Sequence, residues 1–220
     1  MAENANEEQL VKEFQERVMQ LLPNDIARLQ AKGVAPEKVQ ALEGKITKFL
    51  RERSQWMTAT DLYFYGDEGK AAGKFSKAIH SYARLSEHEI PLVCFDATLS
   101  GSSDEGFLAS TEALYARNKM EKRQVIPLDN IAGITLSCER LFATNVLVAT
   151  KDFQRYVIEA LSDQEAAVAV LSAWVKIFAN SNDSSLKKAE TATLPKFCRF
   201  CGKPLQENAK FCVQCGKRIA

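Results

Sequence analysis

The feature that most constrains this 220-residue chain is a short repeat close to its end. Lys196-Phe197-Cys198-Arg199-Phe200-Cys201-Gly202-Lys203 is answered fourteen residues later by Lys210-Phe211-Cys212-Val213-Gln214-Cys215-Gly216-Lys217, with six of the eight positions identical. Each Cys-X-X-Cys-Gly-Lys turn can aim two sulfurs at one point. The glycine after the second cysteine relieves a tight turn in which a Cβ would be strained. Two such turns facing each other supply four thiolates in a tetrahedron, the closed site that structural Zn²⁺ prefers. Four thiolates leave no position for water, so an open catalytic zinc is not expected. Thiol redox is the competing chemistry, but a redox Cys-X-X-Cys sits once, at a helix start in a βαβ fold, and two copies here lack that setting. The expected ligands of one structural zinc are therefore Cys198, Cys201, Cys212 and Cys215. Residues 196–220 are too few to enclose a hydrophobic core, so this tail should fold only with its metal.

The doubled knuckle, with ten residues between the two pairs, resembles the short zinc ribbons found at the ends of bacterial and archaeal proteins. Residues 196–220 carry six basic groups and one acidic group, and Phe197, Phe200 and Phe211 could stack on bases. A zinc held by four thiolates bears a net charge of −2, however, which nearby lysines and arginines compensate. The phenylalanines are then the packing available around the metal. Docking of a protein partner is the expected role of the ribbon, and contact with RNA or DNA is the alternative.

The whole chain carries a net charge of +1, with no overall field to draw it to nucleic acid or membrane. By segment the charge is uneven: residues 1–85 net +1, 86–180 net −5, 181–195 zero and 196–220 net +5. At 46% hydrophobic and 26% charged, the composition is that of a globular protein. The opening MAENANEEQL is too polar for a secretory leader, and the most apolar stretch, 166–179, is interrupted by Ser172 and Lys176. A cytoplasmic setting is expected, where close cysteine pairs are metal ligands before they are disulfides. The remaining cysteines, Cys94 and Cys138, lie among apolar strand-like residues and read as buried free thiols.

The first third of the chain reads as helical. Leu10, Phe14, Val18 and Leu21 form an amphipathic stripe that should stop at Pro23. Asn24 or Asp25 would cap a short second helix ending near Gly33. Pro36 suits a helix start, from which Val39, Leu42, Ile46, Phe49 and Trp56 follow a three-four alternation, with Arg53 on the seam. Phe75, Ile79 and Tyr82 suggest one more helix. These helices are expected to pack on themselves, with pairing between copies as the second option.

From Ile90 the period shifts towards two, giving candidate strands at 90–99, 106–110, 113–118, 123–126, 131–138, 141–150 and 153–159. A helix follows, with Ser162 and Glu165 as a capping box and Val168, Leu171, Trp174, Val175 and Phe178 as its apolar face. A small, closed or nearly closed antiparallel sheet sealed by this helix would bury both apolar faces. The order of elements, with the phrases Gly106-Phe107-Leu108-Ala109-Ser110-Thr111, Ala113-Leu114-Tyr115 and Ile126-Pro127-Leu128-Asp129-Asn130-Ile131, resembles the bacterial pleckstrin-homology-like (GRAM-like) domains over about residues 88–178. The resemblance implies a scaffold for proteins or lipid headgroups without a catalytic centre. The loop 100–106 carries Asp104 and Glu105 and no basic residue where a phosphoinositide would want one, so lipid is not the expected ligand. Lys119, Lys122 and Arg123 lie on a different loop and read as a solvated turn.

The expected fold is thus α+β: a helical region at 1–86, a PH-like β-barrel or sandwich with its closing helix at 87–180, a flexible linker at 181–195 and the zinc ribbon at 196–220. Gly66, Gly69 and Gly73 precede no Lys-Ser/Thr pair, and no Gly-X-Ser-X-Gly elbow occurs. His80 and His88 read as structural or solvated; Asp96, Asp104 and Glu105 are open to an acid/base pair, but nothing in the sequence distinguishes them from surface charges. A non-enzymatic adaptor that docks protein partners is the expected function. A nucleic-acid-associated regulator is the alternative, and an enzyme with an unrecognised site in the β module a weaker one.

Overall fold

The computed structural model describes residues 2–52, 56, 59, 61–98, 101–140, 143–160 and 162–179, with the backbone alone at 2–8, 10, 138–140, 143 and 144. The chain divides into two compact units, Met1–Ala179 and Asn180–Ala220. The described residues belong to the first, and the expected linker and zinc ribbon lie outside them.

Helix α1 runs from Ala2 to Ala31 with Pro23 inside it, so the expected break does not occur. Proline removes one helical hydrogen bond and crowds the preceding turn, at about 3 kcal/mol. Burial of one face on both sides of it offsets that cost: Phe14, Val18, Leu22 and Leu29 are buried, with Ile26 packed beside them. The continuous helix also shifts the stripe by one position, since Leu22 is buried and Leu21 is 45% exposed. Helix α2, Pro36–Arg51, starts with proline in its first turn as expected and buries Val39, Ile46, Phe49 and Leu50. It ends before Trp56, whose indole stacks on Phe64 at 6.1 Å, 7° from parallel. Arg53, expected on the seam, lies outside the described residues.

A short strand, β1 (Leu62–Phe64), occurs inside the region expected to be all helical. Helix α3 (Lys70–Ala78) runs into a π-helical turn, Ile79–Ala83. Seven further strands follow: β2 (Pro91–Asp96), β3 (Gly106–Ser110), β4 (Ala113–Arg117), β5 (Gln124–Pro127), β6 (Ile131–Arg140), β7 (Ala143–Thr150) and β8 (Arg155–Ile158). Helix α4 spans Gln164–Phe178. The architecture is α+β with antiparallel sheets. Strands β1 to β5 form one sheet in sequence order and β6 to β8 a second. No backbone ladder joins the two sheets among the described residues, so the barrel is not closed.

The first sheet is covered on both faces. On one, Val93, Phe95, Phe107, Ala109, Leu114 and Ala116 join the main core with α1, α2, β7 and α4. On the other, Cys94, Leu108, Ala113 and Tyr115 pack with Ala78, Tyr82 and Ala83 of α3 and the π turn. This double burial explains why β2, β3 and β4 read as nearly unbroken apolar runs. The helical region therefore does not pack on itself alone: Phe49 of α2 meets Phe178 of α4 edge-on at 6.0 Å, and Lys45 Nζ donates to the Phe178 carbonyl at 3.1 Å. Gly106 opens β3 with φ +124°, and a Cβ there would fall 2.1 Å from the Phe95 carbonyl oxygen. No other residue fits that approach.

The expected capping box of α4 does not form. Ser162 Oγ donates to the Asp61 carboxylate, and the Asp61 amide donates to Asp163 Oδ2 at 3.3 Å. Asp163, in a left-handed conformation (φ 52°), precedes the helix without a side-chain cap. This clasp ties the start of α4 to the entry of β1. The buried face of α4 is Ala167, Val170, Leu171, Trp174, Ile177 and Phe178; Val168 and Val175, expected on it, are half-buried flanks.

Candidate metal centre and the polar clusters of the folded body

Among the described residues no group of three or more His, Cys, Asp or Glu side chains is placed to hold a metal. Cys94 is a buried free thiol, as its apolar neighbours suggested. Burial pushes its pKa up to about 12, with the carboxylate of Asp96 adding to the rise against the opposing effects of Tyr82 and Lys74. It is a poor metal ligand and a poor nucleophile in that state. Cys138 lies in β6, with its side chain outside the described residues. His80 points Nδ1 at the Ser76 carbonyl, 2.7 Å away, and His88 Nε2 lies 3.9 Å from Glu87.

Asp96 is no surface charge. Its side chain is 2% exposed and paired with Lys74, itself 15% exposed. Burial alone would raise the Asp96 pKa, but the Lys74 ammonium and hydrogen bonds from Thr98 and Ser103 outweigh it and hold the carboxyl below its ordinary value. Burial likewise works against charge on Lys74, and its hydrogen bond to Asp96 turns the balance upwards. Lys74 Nζ also donates to the Gly101 carbonyl at 2.6 Å, and Ser103 Oγ donates to Asp96 Oδ2 at 2.9 Å. The pair thus pins the loop between β2 and β3 to α3. Asp104 accepts a bond from Ser102 on the same loop. The ammonium reaching this loop is consumed internally, while Lys119, Lys122 and Arg123 stand exposed at the β4–β5 turn.

Two further clusters were not legible beforehand. Glu89, 4% exposed, receives the Tyr115 hydroxyl at 2.7 Å and the Ser86 amide at 2.8 Å, fixing the approach to β2. Arg28 of α1 reaches the same segment through the carbonyls of Glu87 and Glu89. Asn118, 6% exposed, stands between the sheets. From the end of β4 its Nδ2 donates to the Val157 carbonyl of β8 at 2.7 Å, and its Oδ1 accepts the Glu159 amide at 3.0 Å. One side-chain amide here does the work of a missing strand pairing.

The carboxylates and amide of these clusters are engaged in hydrogen bonds within the body, which returns attention to the cysteine repeat. It brings four thiols in two Cys-X-X-Cys motifs, side chains that suit zinc over harder ions. Residues 197–219 match the zinc-ribbon domain family. The match carries zinc binding to this segment and includes all four cysteines of the repeat. Searches of curated proteins and of solved structures find no match to the chain. No described helix is long and apolar enough to cross a membrane.

Proposed function

We propose that this chain is a non-enzymatic zinc protein that docks protein partners through its C-terminal ribbon. Cys198, Cys201, Cys212 and Cys215 hold one structural Zn²⁺, whose role is to fold residues 196–220, since they contain too little apolar surface to fold otherwise. The observation that carries this reading is the zinc-ribbon match at 197–219 over a doubled Cys-X-X-Cys-Gly-Lys repeat. Residues 88–178 act beside it as a PH-like docking module. What supports that part is the sequence of seven antiparallel strands, β2 to β8, followed by the amphipathic α4. The covering of its first sheet by α3, and the consumption of Lys74 by Asp96, favour a protein over an anionic lipid as its ligand.

Zinc stoichiometry of the intact chain and of Cys198→Ser and Cys212→Ser variants tests the metal. Binding of mixed RNA and DNA over a salt series tests the alternative, for which the +5 charge of residues 196–220 and three nearby phenylalanines speak. Nucleic-acid contact predicts affinity falling steeply with salt and lost with the tail, because phosphate contacts release counterions. Weak binding that ignores salt leaves protein docking as the role.

A further inference from the structure

Helix α2 has an exposed pole whose composition no contact among the described residues explains. Its buried residues, Val39, Ile46, Phe49 and Leu50, occupy one side. At 100° per residue, Gly44 sits at the centre of the opposite side. Glycine is the residue least suited to a helix interior short of proline. No described atom lies within 4 Å of where a Gly44 Cβ would be, so no contact among the described residues calls for its absence. Small residues flank it on the same stripe, Ala41 before and Thr47 after. Beyond them come Gln40 and Lys48, and then Glu37 and Arg51, all four exposed.

That stripe is a palindrome in shape and reversed in charge. If a second α2 crosses antiparallel with a two-fold axis at Gly44, Gly44 meets the partner's Gly44 and Ala41 meets the partner's Thr47. Gln40 then faces the partner's Lys48, and Glu37 faces the partner's Arg51. Small residues at the crossing let the axes approach at the close end of the usual 8–10 Å. The one oppositely charged pairing, Glu37 with Arg51, falls at the ends and is made twice by symmetry, as an isologous contact requires. Antiparallel helix dipoles also attract, each N-terminus lying beside the other's C-terminus. Along the stripe's border Met19 of α1, 63% exposed, adjoins Thr47 and Arg51 and supplies apolar surface beside the crossing.

We propose that this outer face of α2 is an interface with a second copy of the chain. It is distinct from the inner seam of the helices, which is filled by the chain's own core. Self-complementarity about one residue is what selects a second copy over an unrelated partner.

Sedimentation equilibrium of the full, zinc-loaded chain from micromolar to submillimolar concentration tests it. The wild type should form a dimer in a concentration-dependent manner. Arg51→Glu, which sets like charges against the partner's Glu37, should raise the dissociation constant about tenfold, as should Glu37→Arg. The double variant Glu37→Arg/Arg51→Glu should recover the wild-type constant. Gly44→Phe should abolish the dimer while the circular dichroism of the monomer stays unchanged. A wild type that stays monomeric throughout, a dimer indifferent to the single reversals, or a double variant that fails to recover would each overturn the proposal.

Discussion

Replacement of Asn118 by alanine isolates what holds the two sheets together. In the native chain its amide donates to the Val157 carbonyl at 2.7 Å and to Glu121 Oε2 at 3.0 Å, and accepts the Glu159 amide at 3.0 Å. Alanine removes all three bonds and leaves a carbonyl and an amide of the β8 end without partners. An orphaned buried polar group costs about 1–3 kcal/mol. The bond to exposed Glu121 should contribute little, and water can reach the Glu159 end in part, so we expect a total near 2 kcal/mol. Asn118→Asp keeps the acceptor for Glu159 but sets a carboxylate against the Val157 carbonyl and the Glu121 carboxylate, so it should destabilise at least as much as alanine. Both tryptophans, Trp56 and Trp174, are buried in the folded body, so urea unfolding followed by their fluorescence reports this loss as a shift in midpoint. Hydrogen exchange at the Glu159 amide should accelerate more than the global change requires. A midpoint within error of wild type, with Glu159 protection intact, would refute the idea that a side chain replaces strand pairing here.

Other outcomes follow from the same structure. Asp96→Asn should destabilise the body by about 3 kcal/mol, because it strands a buried ammonium at Lys74. The Asp96 pKa is depressed below 3.8, so its contribution is present above that value and lost as pH falls through the folded value; the gap between wild type and variant should close below about pH 4 in acid titration followed by tryptophan fluorescence. At the other end the Lys74 pKa is raised above 10.5, so the contribution is intact below that and lost as pH rises through the folded value. Gly106→Ala forces a Cβ against the Phe95 carbonyl and should cost more than about 3 kcal/mol or prevent folding, read by thermal melting against the harmless control Gly33→Asn. Cys94→Ala should remove no zinc, while the small cavity it leaves in the core under α3 costs about 1 kcal/mol, which metal analysis and the same melts would show.

The places of β2 to β8 along the chain were legible because their apolar or alternating runs are bounded by turn residues such as Asp129-Asn130 and Lys151-Asp152, whereas their division into two sheets was not. Helix limits were less so. Pro23 signalled a stop that tertiary burial of Leu22 and Leu29 overrode, and Ser162 signalled a cap that Asp61, 101 positions away in sequence, took for itself. Strand β1 was hidden because three residues, Leu62, Tyr63 and Phe64, establish no period, and it exists through its ladder to Val93, Cys94 and Phe95. Asp96 read as a surface charge because its partner, Lys74, belongs to a helix whose place over the sheet no local pattern reveals. The proposed metal site is the opposite case: the zinc-ribbon match falls on four cysteines at fixed spacing, and spacing is what a sequence states most directly.

The central claim is that the repeat at 198–215 holds one zinc through four thiolates. Metal analysis of the full chain purified without chelator tests it most directly, read beside Cys198→Ser, Cys201→Ser, Cys212→Ser and Cys215→Ser variants. One zinc per chain, with affinity reduced in each single variant and metal lost when Cys198 and Cys212 are replaced together, is the expected result. A chain that purifies without zinc and does not take it up, or one whose zinc survives the double replacement, would contradict the account.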